Sequence, residues 1–392
     1  MIVNDPYKAL GVRKAINAAG ILTRIGGSRS PPEVFRAMEE ASKSFVTIAE
    51  LQTAAGKVIA DATGAEAGLP TAGGSTSILL AAAACIMKGT ELEKYEPKGP
   101  AVWRKIAQRL PMRSKGLHTE IVVQKCNRDE YDHAVEIAGG RFVEAGTEEG
   151  CTEEELANAF TENTAACYYT HKSTKKGLPL EKIIEIAHRN DVPVIVDAAT
   201  IPPPRSGLTL FSEMGVDLAC FSGGKTLSGP NNSGLLSGRA DLVKLAHLQS
   251  YPFEGVGRPS KMSRETIVGL ITALTLYLES DDSGGFMERE RTAFHISKEL
   301  DSISGITSYV DYIGGEAKTN PLTCVKAEKD EYGLSTKELF DALIEGEPSI
   351  VTVYEPYFLL EDYHGLFSVN PQFLSPNEIE VIIDRVKEEA TP

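Results

Sequence analysis

The chain has 392 residues, more than one hydrophobic core ordinarily serves, so two or three domains are expected. Hydrophobic residues make up 42% and charged residues 24%, the mix of a globular protein. The formal net charge of −15 argues against a large nucleic-acid-binding surface, which needs a basic field.

The start, "MIVNDPYKALGVRK", lacks the apolar stretch of a secretory signal, and residues 1–20 are expected to form an arm. Next comes "GLPTAGGSTSILLAAAACIM" at 68–87. It reads as a short apolar lead, then Gly73-Gly74-Ser75-Thr76, then a buried helix. Its ten-residue apolar run is too short to span a bilayer, so no membrane attachment is expected. The glycines and hydroxyls admit two readings. One is an ordinary Ser/Thr helix cap. The other is a phosphate cup at a helix N-terminus, where free N–H groups and the dipole attract an anion.

From residue 120 the chain alternates short apolar runs with amphipathic ones. "EIVVQ" (120–124), "RFVEAG" (141–146), "AACYYT" (165–170), "VPVIVDAA" (192–199) and "VDLACFSGG" (216–224) are predicted strands. "EYDHAVEIAGG" (130–140) and "PLEKIIEIAHRND" (179–191) are predicted helices; Ile183, Ile184 and Ala187 recur at helical spacing in the second. This alternation predicts an α/β protein with a mainly parallel central sheet and helices on both faces. "GPNNSG" (229–234) is a turn that returns the chain as an edge strand, "GLLSG". Residues 264–300 are strongly helical with a break at Gly284-Gly285. A domain boundary is expected near 260: a large domain over 21–260, then a linking helix and a small α/β domain over 261–392. Cys85, Cys126, Cys151, Cys167, Cys220 and Cys324 form no CxxC pair, so neither zinc nor a disulfide framework is expected, and the compartment is expected to be the cytoplasm.

In open parallel sheets, ligands sit beyond the carboxyl ends of the strands. Two predicted strands end there in reactive groups, Asp197 and Lys225, 28 residues apart. A structural ion pair is one account of them. Pyridoxal phosphate is the other: it forms a Schiff base with a lysine, and a carboxylate holds its pyridinium nitrogen protonated. The phosphate cup at Gly74, Ser75 and Thr76 favours the cofactor, and Ser222 is placed to add a hydrogen bond. Gly223 and Gly224 are expected to let the chain turn tightly. Ala199 is expected to set its methyl against the underside of the ring.

The string "DAAT…DLACFSGGKTLSGPNNSGLLSGR" resembles the fold-type I pyridoxal-phosphate enzymes, and within them the selenocysteine-synthase-like group. There an SGGK-x-x-x-GP-x-x-SG-x-L-x-G pattern carries the Schiff-base lysine. "INAAGILTRIGGSRSPPEVFRAMEEAS", "ELQTAAGKVIADATGAEAG" and "EIVVQKCNRDEYDHAVEIAGGRFVEAG" resemble the same group, closest to the D-glucosaminate-6-phosphate ammonia-lyase subgroup. The likeness runs from about residue 7 to 270 and weakens beyond. It implies that Lys225 is the Schiff-base lysine and general acid/base and Asp197 the pyridinium partner. Gly74, Ser75, Thr76 and Ser222 would hold the phosphate. It also implies at least a homodimer.

Asn127 departs from the group, where that position is commonly His over the cofactor; an asparagine neither stacks as an aromatic ring nor acts as a general base. No arginine occurs between Arg291 and Arg385, so the carboxylate clamp of classical aminotransferases is missing from the C-terminal domain. Arg24 or Arg29 would supply it. Arg128 is a further candidate for a substrate phosphate or acid, and His171 for the cofactor's phenolic oxygen. Arg258, Lys261 and Arg264 in "GRPSKMSRE" read as hinge charges or as an anion-binding cluster. The expected function is a pyridoxal-phosphate lyase that eliminates ammonia, with dehydration, from an amino acid or amino-sugar acid to give a 2-oxo acid. The partners expected are that small molecule and a second copy of the chain, with no nucleic acid. A selenocysteine-synthase-like transferase, a racemase or aldolase on the same scaffold, and a non-catalytic module are the rivals. The charge and the little room for a tRNA-binding module at the start weigh against the first.

Overall fold

A computed structural model describes residues 5–171, 176–200, 204–313, 318–356 and 363–390. Backbone packing divides the chain into two units, Arg29–Ser280 and a second made of Met1–Ser28 with Asp281–Pro392.

The first unit is built on seven strands: β1 (Ala67–Thr71), β2 (Glu120–Gln124), β3 (Arg141–Ala145), β4 (Thr164–Thr170), β5 (Val194–Asp197), β6 (Leu218–Ser222) and β7 (Gly234–Gly238). Their order across the sheet is β1-β7-β6-β5-β4-β2-β3. The pairs β2–β3, β2–β4, β4–β5 and β5–β6 are parallel; β7 runs antiparallel to both neighbours. The five strands predicted between 120 and 224 are all present. "GLLSG" is a strand too, but not at the edge: β1 closes it off. Gly68 and Pro70 mask β1 in the sequence, because both residue types are depleted in strands.

Side chains alternate between the two faces of the sheet, as strand geometry requires. Ile121, Val123, Ile195, Leu218 and Cys220 point to one core, with helices Gly74–Met87 and Ala240–Gln249. Val122, Val194, Val196, Ala219 and Phe221 point to the other, with helices Ile48–Thr63, Leu180–Arg189 and Arg264–Glu279. Every residue from Ser77 to Met87 is buried, which fits a helix apolar all round.

The expected boundary near 260 lies at 280 instead. Helix Arg264–Glu279 packs on Pro32–Ser42 and Ile48–Thr63, so it belongs to the sheet's own unit. The glycines at 284–285 are not a break: Asp281 caps a new helix, accepting from the Ser283 and Gly284 N–H groups, and the helix runs Asp282–Asp301. In the second unit a four-stranded antiparallel sheet pairs Ile306–Ile313 with Asn320–Ala327, then Phe367–Val369, then Val353–Tyr354. Strand Ala15–Asn17 pairs with Ser349–Val351, so the first residues fold into this unit rather than forming a separate arm.

One buried charge ties the amino ends of the central strands together. Asp217 is 5% exposed. It accepts from His188 Nε2 at 2.8 Å, Arg239 at 3.0 Å and the Val194 N–H at 2.8 Å, while its carbonyl takes the Arg239 N–H. Asp217→Ala leaves the buried Val194 N–H unpaired and is expected to cost about 2 kcal/mol. A urea titration should show an earlier midpoint at unchanged slope.

Candidate active site

Parallel pairing sets Asp197 of β5 opposite Cys220 of β6, so β5 and β6 end side by side. Asp197 is 5% exposed. Among the described residues its carboxylate accepts one hydrogen bond, from the Ala199 N–H at 2.9 Å. Burial pushes its pKa up to about 6, against the Ala199 bond and the Lys225 charge, which favour ionisation.

Lys225 lies three residues beyond the end of β6 at Ser222, in a loop closed by backbone bonds. Gly223 N–H donates to Ser233 O, Ser228 N–H to Lys225 O and Gly229 N–H to Gly223 O. The glycines serve close packing rather than a left-handed turn. Neither Gly223 nor Gly224 has positive φ, but a Cβ on Gly223 would meet Ser233 Oγ at 2.4 Å, and one on Gly224 the Asn231 Cα at 2.5 Å. Burial lowers the Lys225 pKa, with Asp197 and Asp129 opposing. No ion pair joins Lys225 to Asp197 or to any other described carboxylate. The structural ion-pair account is thus not met among the described residues, where neither Asp197 nor Lys225 has an ion-pair partner.

The glycine cup meets the same strand ends. Gly73, at φ 122°, starts helix Gly74–Met87. A Cβ on Gly74 would lie 3.2 Å from the Ala199 methyl and 3.7 Å from Ser222 Cβ, and one on Gly234 2.5 Å from the Gly73 carbonyl carbon. Gly74, Ala199, Ser222 and the helix N-terminus with Ser75 and Thr76 thus converge beside Asp197. This donor set fits pyridoxal phosphate: a helix N-terminus for the phosphate, a buried carboxylate with no ion-pair partner among the described residues for the ring nitrogen, and a half-buried lysine in the loop after the neighbouring strand.

Other expected residues are placed differently. Asn127 is buried, and its amide is used up on the Thr170 backbone, donating to the carbonyl at 2.8 Å and accepting from the N–H at 2.7 Å. It ties the end of β2 to the end of β4. Arg128 pairs with Asp132 and Glu144 and lies 4.3 Å over the Phe142 ring, so its guanidinium serves the local fold. His171 donates its backbone N–H to Asp197 O and sets its ring edge-on against Phe211 at 5.3 Å; burial lowers its pKa. Arg29 adjoins Ser30, whose Oγ donates to Gly229 O in the lysine loop. Arg24 lies in the turn Thr23–Ile25 of the other unit.

Sequence reasoning missed Tyr131. Its ring centroid lies 5.9 Å from Lys225 Nζ. It also left the basic cluster undecided. Arg258 and Lys261 both lie over the Tyr251 ring, at 5.1 and 5.9 Å, and neither has a carboxylate partner among the described residues. Tyr251, Gly257, Ser260 and Met262 line a cleft together with Thr76 of the cup. Arg264 pairs instead with Glu265.

The Asp197 charge has a measurable signature. In the unfolded chain the carboxyl ionises near 3.8, in the folded chain near 6. Stability of the protein stripped of small molecules falls as pH rises through that window and stays lower above it, by about 3 kcal/mol at about 1.4 kcal/mol per pH unit. Asp197→Asn removes this loss. In thermal unfolding the variant should match the parent near pH 4 and exceed it above pH 6.

The aminotransferase class-V family model matches residues 137–263. A 5'-C-glycyluridine monooxygenase-decarboxylase from a Streptomyces species is 32% identical over 97% of this chain and 91% of its own. D-glucosaminate-6-phosphate ammonia lyase of Salmonella typhimurium is 30% identical over 97% of both chains. A solved structure of D-glucosaminate-6-phosphate ammonia-lyase superposes over 99% of both chains with a TM-score of 0.83 at 27% identity. The chain belongs to the fold-type I pyridoxal-phosphate-dependent enzymes, in the group that contains D-glucosaminate-6-phosphate ammonia-lyase.

Proposed function

We propose that the protein is an ammonia-lyase acting on a phosphorylated amino-sugar acid or a related amino acid, releasing a 2-oxo acid. The observation that carries this reading is the buried Asp197 carboxylate near Lys225, whose ammonium is disfavoured by burial, with no ion pair to either among the described residues.

When bound, pyridoxal phosphate supplies an electron sink for charge that develops at the substrate α-carbon. The helix N-terminus at Gly74, with Ser75, Thr76 and Ser222, holds its phosphate. Asp197 would hold its ring nitrogen protonated, Ala199 would offer its methyl to the ring, and Lys225 would anchor its carbonyl carbon. As a neutral amine Lys225 would also take the substrate's α-proton and return a proton to the departing β-hydroxyl. Water is lost in that step and regained when the product imine hydrolyses, so the net loss is ammonia. Arg258 and Lys261, without a carboxylate partner among the described residues of a chain of net charge −15, would receive the anionic end of the substrate. Arg29 is the candidate for its carboxylate. A homodimer or higher homo-oligomer and a cytoplasmic location complete the reading.

The 32% identity to a monooxygenase-decarboxylase supports a second reading, in which the same site consumes dioxygen and releases carbon dioxide. Likeness to the ammonia-lyase over nearly the whole chain in both sequence and structure favours the first.

Purified protein should show a yellow absorbance band that borohydride bleaches, leaving the cofactor's mass on Lys225; Lys225→Ala should lack both. Phosphorylated amino-sugar acids should then yield ammonia and a 2-oxo acid in equal amounts without oxygen uptake. Stoichiometric oxygen uptake would select the second reading, and a protein that takes up no cofactor would overturn both. Arg258→Ala with Lys261→Ala should raise KM for a phosphorylated substrate by about 10- to 100-fold per lost charge-assisted bond, and leave an unphosphorylated analogue little changed.

A further inference from the structure

We infer that Tyr131 is the aromatic residue that covers the cofactor ring beside Lys225, in place of position 127. The inference rests on the cofactor reading above.

Among the described residues, Asn127, His171 and Tyr131 are the candidates beside Asp197 or Lys225. Asn127 is excluded because both ends of its amide are bound to the Thr170 backbone, and it is 4% exposed. His171 turns its ring onto Phe211 and is held through its backbone N–H on Asp197 O. Tyr131 remains. Its ring faces the Lys225 amine at 5.9 Å, and it is 51% exposed, so the core does not consume its surface.

The ring is presented by a fixed turn. Glu130–Asp132 forms a single 3-10 turn capped by Asp129, whose Oδ1 accepts from the Tyr131 N–H at 3.2 Å. Asp132, 2% exposed, accepts from the Asp129 N–H at 3.0 Å and from Arg128. Arg128 in turn spans to Glu144 just before the end of β3. The departure of Arg128 from any clamp role thus has a purpose: with Asp132 it anchors the turn from below. Asp129, on the same turn, acts electrostatically on Lys225 and opposes the loss of its proton. The turn therefore offers the site an aromatic face and a carboxylate, both on a rigid support.

Stacking of this kind is worth about 3- to 10-fold in affinity. Titrating the full chain with pyridoxal phosphate, and reading absorbance together with visible circular dichroism of the bound cofactor, tests the assignment. Tyr131→Ala should weaken cofactor binding by about 3- to 10-fold and diminish the visible dichroism, while Tyr131→Phe should keep both. Thermal midpoints without cofactor should stay close to the parent's for both variants, because the side chain is half exposed. Asn127→Ala, by contrast, should lower that midpoint through loss of the Thr170 bonds. A parent protein that binds no pyridoxal phosphate overturns the functional reading and this inference with it. A parent that binds it, with Tyr131→Ala matching it in affinity and dichroism, overturns this inference alone.

Discussion

A carboxylate buried at the end of β5, with one hydrogen bond among the described residues, is the constraint on which this site depends. Burial opposes its charge. The nearest cation, Lys225, is itself destabilised as a cation by burial, and the two form no ion pair. Each group is thus left short of what would satisfy it. A protonated aromatic nitrogen answers the first need and an electrophilic carbonyl the second, and one planar cofactor provides both. The rest of the unit sustains that imbalance through a central helix buried from Ser77 to Met87 and through the Asp217 clamp at the opposite ends of the same strands.

Closeness of backbone to backbone is the second requirement. The Gly73–Gly74 cup, the lysine loop and the start of β7 approach so tightly that a methyl group at Gly74, Gly223, Gly224 or Gly234 would press on a neighbouring segment. At Gly74 the clearance to Ala199 is small but not prohibitive; at Gly234 the obstacle is the Gly73 backbone itself. The glycine richness around Lys225 is therefore a matter of space, not of left-handed conformation. It brings N–H groups, a methyl and a lysine to one small volume.

Much of this was legible in the sequence because it is local. Strands ending in Asp197 and Lys225 show themselves by apolar runs that stop at a charged residue, and a Gly-Gly-Ser-Thr step before an apolar helix marks the cup. What failed to show depends on pairing between distant residues. β1 is written in Ala, Gly and Pro, so the neighbour that makes β7 internal was invisible, and "GLLSG" read as an edge. Asn127 looked like a defective cofactor ligand because its partners, the Thr170 backbone groups, lie 43 residues on. Tyr131 drew no notice since a tyrosine on a short turn carries no periodic signal. The helix Arg264–Glu279 joined the wrong unit on paper because periodicity reveals a helix but not what it packs against.

The two ends of the sheet divide the labour. At the amino ends, Asp217 has every partner it needs and fixes four segments together; nothing there invites a ligand. At the carboxyl ends, Asp197 and Lys225 have no ion-pair partner among the described residues, and the side chains proposed to meet ligands hang from separately anchored loops. Tyr131 and Asp129 ride on a turn pinned by Asp132. Arg258 and Lys261 ride on the segment after Gln249, a fully buried residue whose amide bonds Ala107 O and the Val256 N–H and whose carbonyl takes the Gly257 N–H. In both loops the anchor is buried and the working side chains are at the surface. A side chain at Tyr131, Arg258 or Lys261 can therefore be exchanged without unpacking the strands of the central sheet. Relatives that share this fold but carry different reactions are what such a separation allows.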